Sequence, residues 1–554
     1  MRTRAQESRA AIERLYITMR HLFMRGSYKP MGVSGEGLVN ALRVLSPEIY
    51  GSINDEEKLE LDGLLYVMDR LPRGIEECRF VRFISREGFE KSQLEPIVPP
   101  KRRRNCYRLD EDVMYVEMTR GRSDIYDILT HLTFLYIESE TILKNSTDHK
   151  GRISSNWEML EKFVEKERRG EDFDKEAACA YLSHIIGRTF DETKEAVRKF
   201  ESSRNSNSLF WIIYHLGKLA RNEVHGEEAR EISFSATLRE RIGHHVYGER
   251  WASNIKECLD KNGLLDRELH IISANLHSIK NTIYGFHSLS ISTYEGLEEV
   301  AMDLSTGDKK KNRAKIDKYA KSHGFIDIPD TTGTNIGVQL IDTSKLPKSE
   351  LIPGIFLEED QTKRPVIVVM DYAFGEQAYE CFDELLKPYE KNGESISLNV
   401  ASTSIMGKAG ILQGKKGDLM IPDAHVFEGT ADNYPFENEL KSQDFEGFGL
   451  GVYAGSMVTV LGTSLQNKDI LQYFMDSSWN AVGLEMEGAH YQKAIQSASR
   501  IRQSIKKDVR ILYAYYASDN PLETGSTLAS GALGLDGVRP TYLITYKILE
   551  KLFS

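Results

Sequence analysis

Two small groups of acidic residues near the end of the chain each follow a predicted buried strand. The strands are the apolar runs 481–484 and 511–517, and a predicted helix lies between them, so the three elements form a βαβ-like unit. The groups are Glu485, Met486 and Glu487 after the first strand, and Ser518 and Asp519 after the second. Carboxyl groups exchange protons and accept hydrogen bonds, and ligands of open α/β sheets bind at the carboxyl ends of the strands. The sequence therefore predicts that both groups handle a small molecule.

The region that contains these strands, residues 365–554, alternates predicted strands with predicted helices. Its first strand, 366–370, is apolar at every position, which is typical of a parallel sheet covered on both faces. Gly375 and Glu376 then open the helix 376–387. The further predicted strands are 396–403, 419–421, 457–461, 482–484 and 511–517, and the further predicted helices are 469–475, 486–504 and 540–552. This alternation predicts an α/β domain with a mostly parallel central sheet.

The region before it has a different pattern. Residues 1–305 show apolar residues at helical spacing, for example over 123–144 and 267–284, and almost no strand-like alternation. We therefore expect an all-α N-terminal region. Residues 306–364 contain short strand-like pieces split by prolines, so they predict a connector that pairs with, or wraps, the domain that follows. The chain is thus expected to be multidomain.

Length and composition agree with a soluble, multidomain protein. A chain of 554 residues exceeds one ordinary domain, and 40% hydrophobic and 28% charged residues are globular values. No apolar run approaches the roughly 18–20 residues that span a bilayer, and no apolar segment of a secretory signal follows the N-terminus. The five cysteines are scattered without a C-x-x-C pair. These features predict a cytoplasmic protein without a membrane partner.

Charge argues against an extended nucleic-acid partner. The net charge is −11, and residues 365–554 contain 16 Lys and Arg against 24 Asp and Glu, whereas nucleic-acid binding needs clustered cations. The basic run 101–104 is interpreted as a solvated loop. No cofactor is expected. The pairs His131 with Glu138 and His270 with His277 are interpreted as ordinary polar residues, and a metal site in a helical bundle is the alternative.

Four stretches of residues 365–554 together resemble the nucleoside phosphorylase/nucleosidase superfamily. This group includes purine nucleoside and uridine phosphorylases, methylthioadenosine/S-adenosylhomocysteine nucleosidase and AMP nucleosidase. The stretches are a glycine turn and a following Gly-Asp-hydrophobic strand (406–412 and 416–422), a strand and loop that reach the base (458–465), a ribose-binding segment (484–489) and a Ser-Asp followed by Pro-Leu (517–522). The resemblance implies the fold of that family and cleavage of an N-glycosidic bond.

The resemblance also implies a role for each acid. Cleavage builds positive charge on the ribose and negative charge on the departing base. Asp519 matches the acid that protonates the base, and partial burial would raise its pKa as this role needs. Glu487 matches the carboxylate that accepts both ribose hydroxyls, with Met486 on the apolar face of the sugar. Glu485 is expected to be a structural cap or a secondary contact, and Glu376 is the candidate that activates the attacking water.

The base pocket departs from the family pattern. The resemblance assigns it Ser518, Gly407, Gly410 and His425. The aromatic residue expected to stack on the base near position 465 is replaced by Leu465, and Tyr372, Tyr434 or Phe436 are the possible substitutes. The sequence therefore leaves the identity of the base open.

Hydrolysis is the reaction that the sequence favours. Phosphorylases hold phosphate with an arginine just after the first strand, and the segment 371–377 contains none. We expect hydrolysis of a purine nucleoside or nucleotide to base and (phospho)ribose by a homo-oligomer, the oligomer being implied by resemblance only. The alternatives are a phosphorylase, or a catalytically weak nucleoside-sensing or nucleotide-sensing scaffold with a helical partner-binding domain.

Overall fold

The computed structural model describes two compact units. The described residues are 3–102, 104–148, 150–203, 206–226, 228–306, 310–430, 432–523 and 533–553. Unit 1 comprises Met1–Thr119, Asp124–His244 and Ser464–Ile470, and unit 2 comprises Arg120–Ser123, His245–Thr463 and Leu471–Ser554. Residues 245–305, which the sequence analysis assigned to the N-terminal region, therefore lie in unit 2. In the described parts of the chain, no helix combines the length and the hydrophobicity that a membrane-spanning segment requires.

Unit 1 combines helices with a small sheet. Its helices are α1 (Arg4–Arg25), α2 (Glu36–Leu45), α3 (Leu61–Met68), α4 (Gly121–Ser146, of which 121–123 belong to unit 2), α5 (Ser155–Arg168), α6 (Lys175–Ile186), α7 (Phe190–Ser202), α8 (Leu209–Val224) and α9 (Ala236–Gly243). Its strands are β1 (Ser27–Tyr28), β2 (Phe80–Ile84), β3 (Cys106–Arg108), β4 (Val113–Glu117) and β5 (Glu231–Phe234), in the order β1-β5-β2-β4-β3. The prediction of an all-α region is wrong here, because strands this short show no readable period in the sequence.

Unit 2 is built on a large sheet. Its helices are α10 (Val246–Lys261), α11 (Ser278–Leu289), α12 (Tyr294–Ser305), α13 (Lys310–Ser322), α14 (Gln377–Leu385), α15 (Lys468–Asp476, of which 468–470 belong to unit 1), α16 (Gly488–Gln496) and α17 (Val538–Phe553). Its strands are β6 (Leu269–Ser273), β7 (Phe325–Ile328), β8 (Val338–Asp342), β9 (Glu350–Ile352), β10 (Ile355–Phe356), β11 (Val366–Met370), β12 (Tyr389–Lys391), β13 (Glu394–Ile396), β14 (Val400–Ile411), β15 (Leu419–Phe427), β16 (Asn433–Pro435), β17 (Val452–Thr459), β18 (Ala481–Glu485) and β19 (Arg510–Asp519).

Among the described residues, the central sheet has ten strands and is mixed. Its order is β16-β15-β17-β18-β14-β6-β11-β8-β7, and β19 pairs with both β14 and β15. Within the described chain, five of the ten pairings are parallel and five are antiparallel, so the expected mostly parallel sheet is not what the structure has. The pairings of β14, β18, β17, β15 and β19 close a ring of five strands. Two of the five pairings in this ring, β14 with β18 and β15 with β19, are antiparallel.

The strand β6 lies at the centre of this sheet, where the sequence predicted a helix over 267–284. It pairs in parallel with β11 on one side and β14 on the other. All its residues are buried, and a short apolar run of this kind cannot be told from a buried helix by periodicity. From the segment 306–364, which the sequence predicts as a connector, β8 pairs antiparallel with β11.

Alternate residues of β11 pack into two separate apolar cores. Val366, Val368 and Met370 contact one cluster, which includes residues of α10 and α14. Ile367 and Val369 contact a second cluster, which includes residues of α11 and α17. Helices therefore cover both faces of the sheet, and this explains why the strand is apolar throughout. Its carboxyl end leads directly into the loop that contains Gly375 and Glu376.

Candidate functional site

The two predicted acidic groups meet at the end of β14. Gly410 of β14 pairs with Asp519 of β19 in parallel and with Leu484 of β18 in antiparallel orientation. The strands β18 and β19 thus lie on opposite sides of β14 and run in opposite directions, so they are not the βαβ-like unit that the sequence predicted. Their acidic ends come together because both pair with the same residue of a third strand.

Glu485 is a buried carboxyl group beneath the first turn of α16. It accepts a hydrogen bond from the hydroxyl of Thr459 at 2.5 Å, and others from the backbone N–H groups of Glu487 and Gly488. Burial raises its pKa to about 7, against the lowering effect of these hydrogen bonds. Both carboxyl oxygens are therefore engaged by the protein itself, and the group fixes the backbone of the residue that follows.

Glu487 links β18 to the loop after β11. One carboxyl oxygen accepts the backbone N–H of Gly375 at 2.8 Å, and the other accepts that of Met486 at 3.3 Å. Burial, and then the charge of Glu485, raise the pKa of Glu487 to about 8, while Lys408 acts in the opposite direction. Gly375 has a left-handed backbone (φ +57°), and a Cβ there would lie 2.4 Å from the hydroxyl of Ser123. Only glycine fits both requirements.

Glu376 is held by a segment that is distant in sequence. Its carboxylate forms an ion pair with Arg122 at 3.1 Å, and its backbone N–H donates to the hydroxyl of Ser123 at 2.8 Å. The guanidinium of Arg120 lies 4.8 Å from the ring centroid of Phe374 in the same loop. The segment 120–123 is thus part of unit 2 and supplies the arginines that the loop itself lacks. Sequence reasoning missed it because these residues precede the loop by about half the length of the chain.

Asp519 is the carboxyl group with a free oxygen. It is 5% exposed. One oxygen accepts the hydroxyl of Ser518, which also lies 3.1 Å from the carbonyl oxygen of Ala409. The other oxygen, Oδ2, is buried and has no hydrogen-bond partner among the described residues. Burial raises the pKa of Asp519 to about 6, although the Ser518 hydrogen bond and the charge of Lys408 lower it.

The remaining predicted pocket residues differ in their burial and in the elements that contain them. Gly407 lies within the long strand β14, as does Gly410, so the expected glycine turn is a continuous strand. A Cβ on Gly407 would lie 3.9 Å from the ring of Tyr372, which is partly exposed. His425 is fully buried, with Nε2 3.0 Å from the Tyr515 hydroxyl and a pKa lowered to about 3 by burial. A Cβ on Gly488 would meet the His425 ring, so this ring packs against the first residue of α16.

Leu465 lies in the short 3₁₀ turn Thr463–Leu465. It is assigned to unit 1, where it is 2% exposed. The residues that the structure brings together at the end of β14 are Glu376, Glu485, Met486, Glu487, Ser518, Asp519, Gly407, Gly410 and Tyr372, with Arg122, Ser123 and Lys408 as additions that the sequence did not predict.

The two pairs that the sequence offered as metal ligands have other positions or partners. The members of one pair lie in different elements, and the members of the other are hydrogen-bonded within the protein. His270 lies in β6 and His277 is the N-cap residue of α11, so they do not share a helix face. His131 is fully buried and hydrogen-bonded to Tyr50 at 3.0 Å, and Glu138 accepts the backbone N–H of Glu60. Within the described parts of the chain, no group of three or more metal-ligating side chains exists.

Arg102 and Arg104 of the basic run 101–104 are held in ion pairs, so the interpretation of the run as a solvated loop is wrong for these two residues. Arg104 is 2% exposed and pairs with Asp124 at 2.8 Å and Asp127 at 2.7 Å. Arg102 pairs with Asp127 at 2.9 Å. Both arginines are therefore occupied within unit 1 as structural ion pairs.

Comparisons with solved structures find distant similarities. Futalosine hydrolase of Helicobacter pylori strain 26695 is 12% identical with a TM-score of 0.31, over 51% of this chain and 98% of that protein. Helicobacter pylori MTAN is 13% identical with a TM-score of 0.28, over 51% and 97%. Uridine phosphorylase from Schistosoma mansoni in complex with uracil is 12% identical with a TM-score of 0.29, over 54% and 88%.

No curated protein matches the chain. A family model matches residues 36–292 and 301–554, which together include most of both units. The chain belongs to the family of unknown function DUF6909.

Proposed function

We propose that unit 2 hydrolyses the N-glycosidic bond of a purine nucleoside or nucleotide. The observation that carries this proposal is Asp519: a buried carboxyl group at a strand end, with a raised pKa and an oxygen that no described group binds. A general acid must hold a proton near neutral pH and be able to deliver it. Asp519 meets the first condition through burial and the second through Oδ2.

The acid acts on the departing base. As the bond between C1′ and the base breaks, electrons move onto the base, and a proton from Asp519 neutralises the charge that develops there. The neighbouring hydroxyl of Ser518 then stabilises the aspartate that remains. The purine preference comes from the family resemblance, in which this acid protonates N7.

Glu487 is proposed to bind the sugar. Each of its oxygens accepts one backbone N–H, and a carboxylate has further lone pairs for hydroxyl donors. Ribose hydroxyls that donate to it favour its ionised form, against the burial that raises its pKa. Met486, buried beside it, supplies an apolar contact for the sugar ring, and Glu485 holds the Glu487 backbone in place.

Glu376 is proposed to activate water. Two observations support this role: the Gly375 N–H bond to Glu487 brings the backbone of Glu376 next to the carboxylate that we propose binds the sugar, and Arg122 and Ser123 hold Glu376. The water oxygen bonds to C1′, its proton passes to Glu376, and the base leaves with the proton from Asp519. The products are the free base and ribose or its phosphate.

One observation favours phosphorolysis as a second candidate. Arg122 lies beside the loop after β11, which is the position where the resemblance expects an arginine that holds phosphate. In that reaction inorganic phosphate replaces water and the sugar product is ribose 1-phosphate. Dependence of turnover on added phosphate separates the two reactions.

The test measures the release of base from a panel of purine nucleosides and their 5′-monophosphates. Reactions are run with and without added phosphate, and chromatography detects the free base. We expect phosphate-independent release that falls by about 10²–10⁴-fold in Asp519→Asn, the usual contribution of a general acid. The matched control is Asp508→Asn, an exposed residue just before β19, which should retain full activity. Absence of release from every compound, or equal activity of Asp519→Asn and the control, would refute the proposal.

A further inference from the structure

Lys408 is a cation at the candidate site that the roles assigned above leave unused. It lies in β14, paired with Tyr516, close to the point where Gly410 pairs with Asp519. Its side chain is exposed. Among the described residues it forms no ion pair, although acidic residues surround the end of β14.

Lys408 lies near both functional acids in the sheet, since Gly410, two residues further along β14, pairs with Asp519 and with Leu484. The charge of Lys408 acts on both Glu487 and Asp519, since it lowers the pKa of each. The two carboxyl groups belong to different strands, β18 and β19, which lie on either side of β14. Lys408, on the strand between them, is therefore near both groups that the proposed function assigns to the substrate.

An unneutralised ammonium group at this place would oppose the proposed reaction. The transition state carries positive charge on the ribose, and a neighbouring cation raises its energy. The repulsion disappears if the substrate brings an anion that pairs with the lysine. Lysine is a compact point charge on a flexible stem, which suits a phosphate group at the edge of a site.

We propose that Lys408 binds a phosphate group of one of the two reactants. The site would then favour a reaction in which the substrate or the attacking group contains phosphate over the attack of water on a neutral nucleoside. This inference rests on the proposed function of the same site. The phosphate comes from one of two sources: the 5′-phosphate of a nucleotide that is hydrolysed to base and ribose 5-phosphate, or inorganic phosphate that takes the ribosyl group and yields ribose 1-phosphate.

The test measures equilibrium binding, which needs no turnover. Ribose, ribose 5-phosphate and inorganic phosphate are titrated by calorimetry into the full chain and into Lys408→Met, Lys408→Arg and Lys415→Met. Lys415 is the matched control, because it is exposed in the connection after β14 and does not figure among the charges that act on Glu487 or Asp519. We expect Lys408→Met to weaken phosphate-dependent binding about ten- to a hundred-fold, the range for a hydrogen bond to a charged group. Lys408→Arg should keep most of the affinity, and Lys415→Met all of it.

The pattern of ligands identifies the source. Tight binding of ribose 5-phosphate, with ribose much weaker, supports the nucleotide; tight binding of inorganic phosphate, with phosphate-stimulated cleavage of neutral nucleosides, supports phosphorolysis. Equal affinity of Lys408→Met and the unaltered chain for both phosphates overturns the inference, even if nucleosides are hydrolysed. If no base is released from any compound, a Lys408-dependent phosphate affinity still supports the phosphate site while the proposed function fails.

Discussion

The raised pKa of Asp519 carries a cost in stability that one substitution can reveal. The folded structure holds the pKa near 6, above the ordinary value of 3.8. A carboxyl group of this kind favours the folded state less and less as pH rises, because the unfolded chain ionises first. The loss begins near pH 3.8 and is complete above pH 6. Asp519→Asn removes the ionisation and keeps the shape of the side chain.

The magnitude follows from the shift. A change from 3.8 to about 6 corresponds to about 3 kcal/mol at about 1.4 kcal/mol per unit of pKa. The same linkage leaves roughly half of this penalty at pH 5. The free energy of unfolding of Asp519→Asn, relative to the unaltered protein, should therefore increase by about 1.4 kcal/mol between pH 5 and pH 8.

Urea unfolding at the two pH values measures this difference, and effects that do not depend on pH cancel between them. The control Asp508→Asn should stay within about 0.5 kcal/mol of the unaltered protein at both. A relative stability of Asp519→Asn that does not change with pH, or that decreases toward pH 8, would contradict the assignment of a buried, protonated acid. We expect Asp519→Asn to gain stability at pH 8 and to lose base release. This combination is typical of a functional carboxyl group that is kept at a cost in stability.

Three further predictions address the pH profile, the loop and its support. Because Asp519 acts in its protonated form, base release should decline above about pH 6, approaching tenfold per pH unit; a rate that rises through this range would exclude it as the acid. Gly375→Ala should lower the free energy of unfolding by about 1–3 kcal/mol and abolish activity, whereas Gly354→Ala, also left-handed but with open space around its Cβ position, should lose stability only; equal activity losses would show that the clash at Gly375 is unimportant. Arg122→Met should reduce turnover and Arg122→Lys should restore part of it, because Glu376 needs a cationic partner; kinetics identical to the unaltered protein would remove Glu376 from the mechanism.

The sequence determined the local features that depend on neighbouring residues. The strand 366–370 was predicted with its observed bounds because an uninterrupted apolar run, buried on both faces, needs no distant information. The helix that starts beside Glu376 and the acids at the ends of β18 and β19 were also identified, since strand ends and helix starts are visible as changes of pattern.

Only the tertiary structure decided which of these features meet. Asp519 and the β18 acids converge because Gly410 pairs with both strands, and strand pairing across a closed ring has no signature in sequence spacing. The same is true of Arg122 and Ser123, which hold the Glu376 loop from a distant part of the chain. Burial decided the rest: it separates His425, enclosed in the core, from Asp519, whose raised pKa and free oxygen exist only because folding removes water from one strand end.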